Sequence, residues 1–268
     1  MLTDAHCHPY EIAHNELSNN DLVNNNFNKL IPCEILASSS ACDLEEFLFC
    51  ENIARNVQLK NAKIFPCFGI HPQIFAVKEK KERQIDTLEE LASTGRICAV
   101  GEIGFDLYNA AFRETEALQD KIFLPQAEIA LKNDLPVVLH VRRAMHKIFA
   151  LSGFLTKCKA VVFHSWPGTL DEATSLLRRG INCYFSFGNT IMLNHKQAVK
   201  SCALLPAERL LTETDAPYQP RRGEKYSCWN DLPLILKAAA ALQTEAGKKT
   251  ALKEMELQIE RNFCNIFK

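Results

Sequence analysis

Two stretches, Leu135-Pro136-Val137-Val138-Leu139-His140 and Ala160-Val161-Val162-Phe163-His164, run through unbroken apolar segments and stop on a histidine. A short apolar run rich in valine, with no polar alternation, reads as a strand buried on both faces, as in a parallel sheet covered by helices. The same signature recurs on either side of this pair. Strands are expected at Met1 to His6, Ile31 to Ala37, Ala62 to Gly69, Arg96 to Gly101, Pro136 to His140, Ala160 to His164, Asn182 to Phe187 and Arg209 to Thr212. Helical segments lie between them. Asp43 with Glu46, and Thr169 with Glu172, have the spacing of a capping box, and Gly180 supplies a stop for the helix that Thr169 begins. Strands and helices alternating over 268 residues predict an α/β chain folded as one (β/α)8 TIM-type barrel domain, residues 1–268. No Pro-, Gly- or Ser-rich linker and no internal repeat divides it. The seven asparagines between Asn15 and Asn28 read as a solvated loop leading into a helix.

Composition narrows the function. The chain is 47% hydrophobic and 24% charged with a net charge of -1, so it lacks the basic footprint of a protein that coats nucleic acid, and a polyanionic substrate has to be held locally. The 11 cysteines are scattered with no C-x-x-C pair, which argues against a disulfide framework or a paired-cysteine zinc site. The first residues lack the basic and apolar regions of a signal peptide, and no segment approaches the roughly 18 apolar residues of a membrane span. The expectation is a cytoplasmic chain with no membrane association and no evident obligate protein partner.

Chemistry gathers where the strands end. In Asp4-Ala5-His6-Cys7-His8, the two-residue repeat of a strand sends both histidines to one side and Cys7 to the other. In Val100-Gly101-Glu102-Ile103-Gly104-Phe105-Asp106, an apolar strand runs into an acid between glycines that permit a tight backbone turn. His140 and His164 close the two opening stretches, and Leu210-Leu211-Thr212-Glu213-Thr214-Asp215 ends on another acid. Glu213 either shares the side of Asp215 or holds the strand end by hydrogen bonds. Each residue alone reads equally as a packed or capping group. Together they put His6, His8, Glu102, His140, His164 and Asp215 at the carboxyl ends of barrel strands, where active sites of this fold lie. Nitrogen and oxygen donors of this kind suit Zn²⁺, Mn²⁺ or, with water, Mg²⁺.

These residues resemble the TatD family of deoxyribonucleases. Asp4 to His8, Phe68-Gly69-Ile70-His71-Pro72, Val100 to Asp106, Pro136 to Arg142 and Glu213 to Tyr218 follow that family's pattern in order over nearly the whole chain, and Asn262 to Phe267 is similar too. The resemblance implies a barrel of the amidohydrolase superfamily binding two divalent metal ions. His6, His8 and Asp215 would hold one, His140 and His164 the other, with Glu102 at or between both. It implies hydrolysis of DNA from the 3′ end of single strands, by attack of a metal-activated water whose proton passes to Asp215. Asp215 and Glu102 would be catalytic, with His71 and Arg142 placed to bind phosphate oxygens. Arg143, Arg221, Arg222 and Lys225 either ring the mouth or are ordinary solvated charges, and Tyr108, Trp166, Tyr218 and Trp229 either stack bases or pack. The chain departs from the family pattern in Ser165-Trp166-Pro167-Gly168 and in Arg222-Gly223-Glu224-Lys225 with the Ser227-Cys228-Trp229-Asn230-Asp231 that follows. Such loops bear on substrate choice while the ligands stay intact. The alternatives are a metal-dependent hydrolase of amides, esters or aminoacyl-tRNA, and a non-catalytic metal-binding scaffold.

Overall fold

The structure is a computed structural model that describes residues 1–17, 31, 34–56, 62–77, 84–248 and 250–268. From residue 18 onward the asparagine-rich stretch lies outside the described residues, as do two residues of the second expected strand. In chain order the elements are β1 (Leu2–Cys7), α1 (Pro9–Glu16), β2 (Ile35–Ser39), α2 (Leu44–Asn56), β3 (Ala62–Phe68), α3 (Gln84–Ser93) and β4 (Ala99–Asp106). Then come α4 (Ala110–Glu114), α5 (Glu116–Lys132), β5 (Val137–Arg142), α6 (Met145–Ala150), α7 (Ser152–Leu155), β6 (Val161–Phe163) and α8 (Leu170–Arg178). The chain finishes with β7 (Cys183–Phe187), α9 (Lys196–Leu204), β8 (Leu210–Thr212), α10 (Leu232–Glu245) and α11 (Leu252–Phe267). Among the described residues no helix is long and apolar enough to cross a membrane.

The eight strands pair in sequence order, β1 to β8, and every pairing is parallel. The ring is drawn shut between β8 and β1: Thr212 Oγ1 donates to Thr3 O at 2.8 Å, Asp215 N to His6 O at 2.9 Å, and His8 N to Ala216 O at 2.8 Å. Each expected strand overlaps an observed one. The largest difference is β4, which continues past Gly101 to Asp106 and so places Glu102 inside a strand instead of at its end.

One buried cluster takes residues from every strand, among them Ala5, Leu36, Phe65, Ala99, Val138, Val162, Tyr184 and Leu211, so it fills the lumen of the barrel. Phe263, Ile266 and Phe267 of α11 belong to it. A larger cluster takes Val137, Leu139, Val141, Val161, Phe163, Phe185 and Leu210 together with helix residues such as Phe123, Leu176 and Ile235, and forms the layer between sheet and helices. In β5 and at the end of β6 the alternation is regular. Val138 and Val162 face the lumen, and two residues on, His140 and His164 face it as well.

β1 and β4 are different. Ala5 packs in the lumen but Cys7 packs outside, and the pairing register with β2 shifts between Asp4 and Cys7. In β4, Val100 and Ile103 both pack outside, and the register with β5 shifts between them. A slip of one residue exchanges the two faces of a strand. It is this slip that turns Glu102 toward the lumen. The flanking glycines serve close approach to β5: a Cβ on Gly101 would lie 2.6 Å from the Cβ of Val138, and one on Gly104, whose φ of 143° also favours glycine, would overlap the His140 carbonyl oxygen.

The expected helix starts are present. Thr169 and Glu172 form a reciprocal capping box at α8. At α2, Asp43 Oδ1 accepts from Glu46 N at 3.0 Å, while Glu46 Oε2 turns back to accept from Cys42 N at 2.7 Å, one residue earlier than a standard box. Gly180 follows α8 with φ of 82°.

Candidate metal centre

Glu102 sits at the centre of the carboxyl face, buried to 4% exposure. Its two oxygens divide the surrounding histidines. Oε2 lies 3.1 Å from His6 Nε2 and 3.9 Å from His8 Nε2, whereas Oε1 lies 2.6 Å from His140 Nδ1, 3.2 Å from His164 Nε2 and 3.3 Å from His71 Nε2. Asp215 completes the first side, with Oδ1 3.6 Å from the Nε2 atoms of both His6 and His8. All six residues that the sequence singled out as ligands therefore converge. Three groups have donor atoms within 4.8 Å of one another: His6, His8 and Glu102; His6, His164 and Asp215; and His71, Glu102 and His140.

The donor set fits divalent cations. Burial alone would raise the Glu102 carboxyl, but His71, His164, His6 and His140 around it hold it well below the usual carboxylate range. Burial would lower His8, yet Asp215 and Glu102 lift it to about 9; burial would lower His164, yet Glu102, Glu213 and Asp215 lift it to about 10. Carboxylates that draw protons onto buried imidazoles are equally suited to a metal ion in place of those protons.

Neighbouring carboxylates orient the ring nitrogens. Asp106 Oδ2 lies 3.1 Å from His140 Nε2 and also accepts from Gln73 Nε2 at 2.7 Å. Glu213 Oε1 faces His164 Nδ1 at 3.4 Å and accepts from Ser165 N at 2.6 Å. A carboxylate on one ring nitrogen keeps the proton there and leaves the other nitrogen's lone pair toward the centre. His71 is set up differently. Its Nδ1 accepts from Gln73 N at 3.3 Å, so in the neutral ring Nε2 carries the proton and donates toward Glu102. Burial lowers its pKa and keeps it neutral.

Several supports carried no signal strong enough to single out from sequence. Asp4, fully buried, accepts from Thr214 N at 2.9 Å, Thr214 Oγ1 at 2.6 Å and His6 N at 3.3 Å, tying the end of β1 to the loop that carries Asp215. Gln219 Nε2 donates to Asp215 Oδ2 at 2.7 Å. On α5, Gln119 and Gln126 are both fully buried. Gln119 accepts from Asp106 N at 2.8 Å and donates to Asp106 O at 3.0 Å. Gln126 accepts from Ile70 N at 2.6 Å and donates to Ile70 O at 3.3 Å, beside His71. Two uncharged polar residues seven apart, on the face of a helix that otherwise buries Phe123, Ala127 and Ala130, were the available clue.

Above the centre opens a cavity of about 980 Å³. Arg142 lines it, with its guanidinium carbon 3.6 Å from the ring centroid of Tyr108. Arg143 also lies against Tyr108, at 4.8 Å. Arg221 is tied to the buried Asp231 by a 2.6 Å bond, and neither it nor Arg222 nor Lys225 lines the cavity. Of the aromatic candidates, Trp166 and Trp229 are buried, whereas Tyr108 and Tyr218 are exposed at 43% and 50%.

A parallel barrel with buried imidazoles and carboxylates meeting at its carboxyl face defines a metal-dependent hydrolase. The TatD related DNase family matches residues 3–268, and the chain belongs to that family. It is 33% identical over 189 residues to the 3′-5′ ssDNA/RNA exonuclease TatD of Cronobacter sakazakii, covering 66% of this chain and 68% of that one. To the uncharacterized metal-dependent hydrolase YcfH of Escherichia coli K12 it is 26% identical over 287 aligned positions, covering 100% of this chain and 96% of the other. Among solved structures, the TatD homolog YJJV of Escherichia coli K12 superposes with a TM-score of 0.80 at 22% identity, covering 99% of this chain and 97% of that one. An uncharacterized amidohydrolase from Saccharomyces cerevisiae gives 0.72 at 18% identity, with 99% of both chains covered. These two likenesses concern the fold.

Proposed function

We propose that this hydrolase is a two-metal phosphodiesterase that shortens single-stranded DNA from its 3′ end. The observation that carries the reading is the division of Glu102: one oxygen faces His6 and His8 and the other faces His140, His164 and His71, a donor arrangement with room for more than one cation. His6, His8 and Asp215 would hold one ion and His140 with His164 the other, Mg²⁺, Mn²⁺ and Zn²⁺ all being compatible with nitrogen and oxygen donors. His164 lies near both sets, since its donor atom also groups with His6 and Asp215. Divalent cations held there would supply positive charge to the scissile phosphate and lower the pKa of a bound water.

The chain's own groups do the rest. Asp215 stays ionised because His164, His8 and His6 outweigh the effect of burial, so its carboxylate, steadied by Gln219, is a ready acceptor for the proton of the attacking water. Arg142, held over Tyr108, would bind the phosphate oxygens, and His71 would join it once a cation on Glu102 frees its Nε2 proton from that carboxylate. The exonuclease named in the Cronobacter relative supports this substrate class and the end from which it is consumed.

The test uses metal-stripped protein, a 5′-labelled single-stranded oligonucleotide, and Mg²⁺, Mn²⁺ or Zn²⁺ added in turn, with Asp215→Asn as control. A metal-dependent ladder shortening from the 3′ end and absent in the variant is the expected result. Stoichiometric metal binding without cleavage would keep the hydrolase centre and move the substrate to amides, esters or aminoacyl-tRNA.

A further inference from the structure

The cavity over the metal centre is divided by charge. Its lining includes Glu11 from α1 with Asp43 and Glu46 from the connection after β2 and the start of α2. Glu46 is fixed there, Oε2 accepting from Cys42 N at 2.7 Å and from Cys42 Sγ at 3.1 Å. The other part of the lining brings Arg142 from the end of β5, and His195 and Lys196 from the start of α9 after β7. In a ring of strands ordered β1 to β8, β1 and β2 stand across the lumen from β5 and β6, with β7 beside them. The metal centre lies between the two flanks. Tyr218, half exposed, stands edge-on to His8 with ring centroids 5.2 Å apart and also lines the cavity.

We infer that this division selects the chemistry of the strand end: the terminal nucleoside is admitted with a free 3′-hydroxyl, and a terminal 3′-phosphate is refused. The inference rests on the reading of the chain as a 3′-end nuclease. With the scissile phosphate at the metal centre, the remaining strand carries one negative charge per nucleotide and runs along the flank of Arg142, His195 and Lys196. The terminal nucleoside then lies on the opposite side, where Tyr218 offers a face for its base. Its sugar hydroxyl is neutral and donates a hydrogen bond to a carboxylate. A phosphate in the same position would bring a dianion up to Glu11, Asp43 and Glu46. The same repulsion keeps an uncut strand from passing over this flank, which confines cleavage to ends.

The experiment compares two 5′-labelled oligonucleotides of one sequence, one ending in a 3′-hydroxyl and the other in a 3′-phosphate, with the metal-loaded protein. The hydroxyl end should be shortened at least about tenfold faster, a preference that narrows as ionic strength rises. In Glu11→Gln/Glu46→Gln, which keeps side-chain shape and acceptors, the preference should fall at least about threefold. Equal rates for the two ends, or a preference unchanged by both salt and the double variant, would overturn the inference. Cleavage of neither end by the unaltered protein would instead remove the nuclease reading beneath it. Should the double variant fail to fold, the salt series on the unaltered protein decides alone.

Discussion

The two halves of the metal centre are delivered by different means. β5 and β6 hold an even alternation, so that Val138 and His140, or Val162 and His164, follow one another on the lumen face. β1 and β4 carry His6 and Glu102 to the same face only because each slips by one residue against its neighbour. The first half needs apolar residues of the right period. The second needs a local irregularity, and β4 secures it with glycines pressed against β5. A ligand on a regular strand thus tolerates repacking beneath it, whereas a ligand on a slipped strand depends on the backbone staying slipped.

The sharpest way to break this contrast is at the residue both halves share. Glu102→Gln should leave a folded barrel, checked by circular dichroism, and cut turnover at least about a hundredfold, as should His140→Ala, because the ligand set is then incomplete. Wild-type turnover with unchanged metal content in either variant would remove the proposed centre.

Next comes the difference between the halves. Gly101→Ala forces a Cβ to within 2.6 Å of Val138 and should cost about 1–3 kcal/mol in denaturant unfolding together with much of the bound metal. Val162→Ala, in the regular half, should cost about 2–3 kcal/mol and leave metal stoichiometry intact. Equal metal retention in the two variants would erase the distinction.

A smaller effect is expected from the carboxylates behind the histidines. Asp106→Asn and Glu213→Gln remove the charge that keeps the proton on the far ring nitrogen of His140 or His164, and metal affinity by competition with a chelator should fall about 10- to 100-fold. No change in either would leave these acids as packing groups alone.

The smallest is a pH effect on the metal-stripped protein. His8 and His164 titrate at about 9 and about 10 in the folded chain, above the roughly 6.5 of an unfolded histidine. Between these values the folded state binds more protons than the unfolded one, so stability is full below about 6.5 and declines as pH rises toward 9 and 10. Melting temperature with a chelator should therefore fall across that range more than it does with metal present. A decline of the same size in both would separate these histidines from the metal.

Much of this was legible in the sequence. The strand count, their order and the capping box at Thr169 follow from local apolar period and side-chain chemistry, which act over a few residues. The six converging residues were recognisable because acids and histidines at the ends of apolar strands have few packing explanations. Asp106 and Asp4 were visible only as parts of motifs, since a carboxylate that steadies a histidine looks like any other strand-end acid until its partner is known. Gln119 and Gln126 were harder still, for glutamine on a helix is ordinary unless the helix face is known to be buried.

The sequence by itself determined the barrel, the end of it that carries chemistry and the kinds of donor gathered there, because periodicity and composition act locally. Only the tertiary structure decided which way Glu102 faces, which nitrogen of each histidine is left free, and that acids and bases confront each other across the cavity. Those depend on a one-residue slip, which the glycines of β4 allow but only its pairing with β5 decides, and on contacts between strands far apart in the chain.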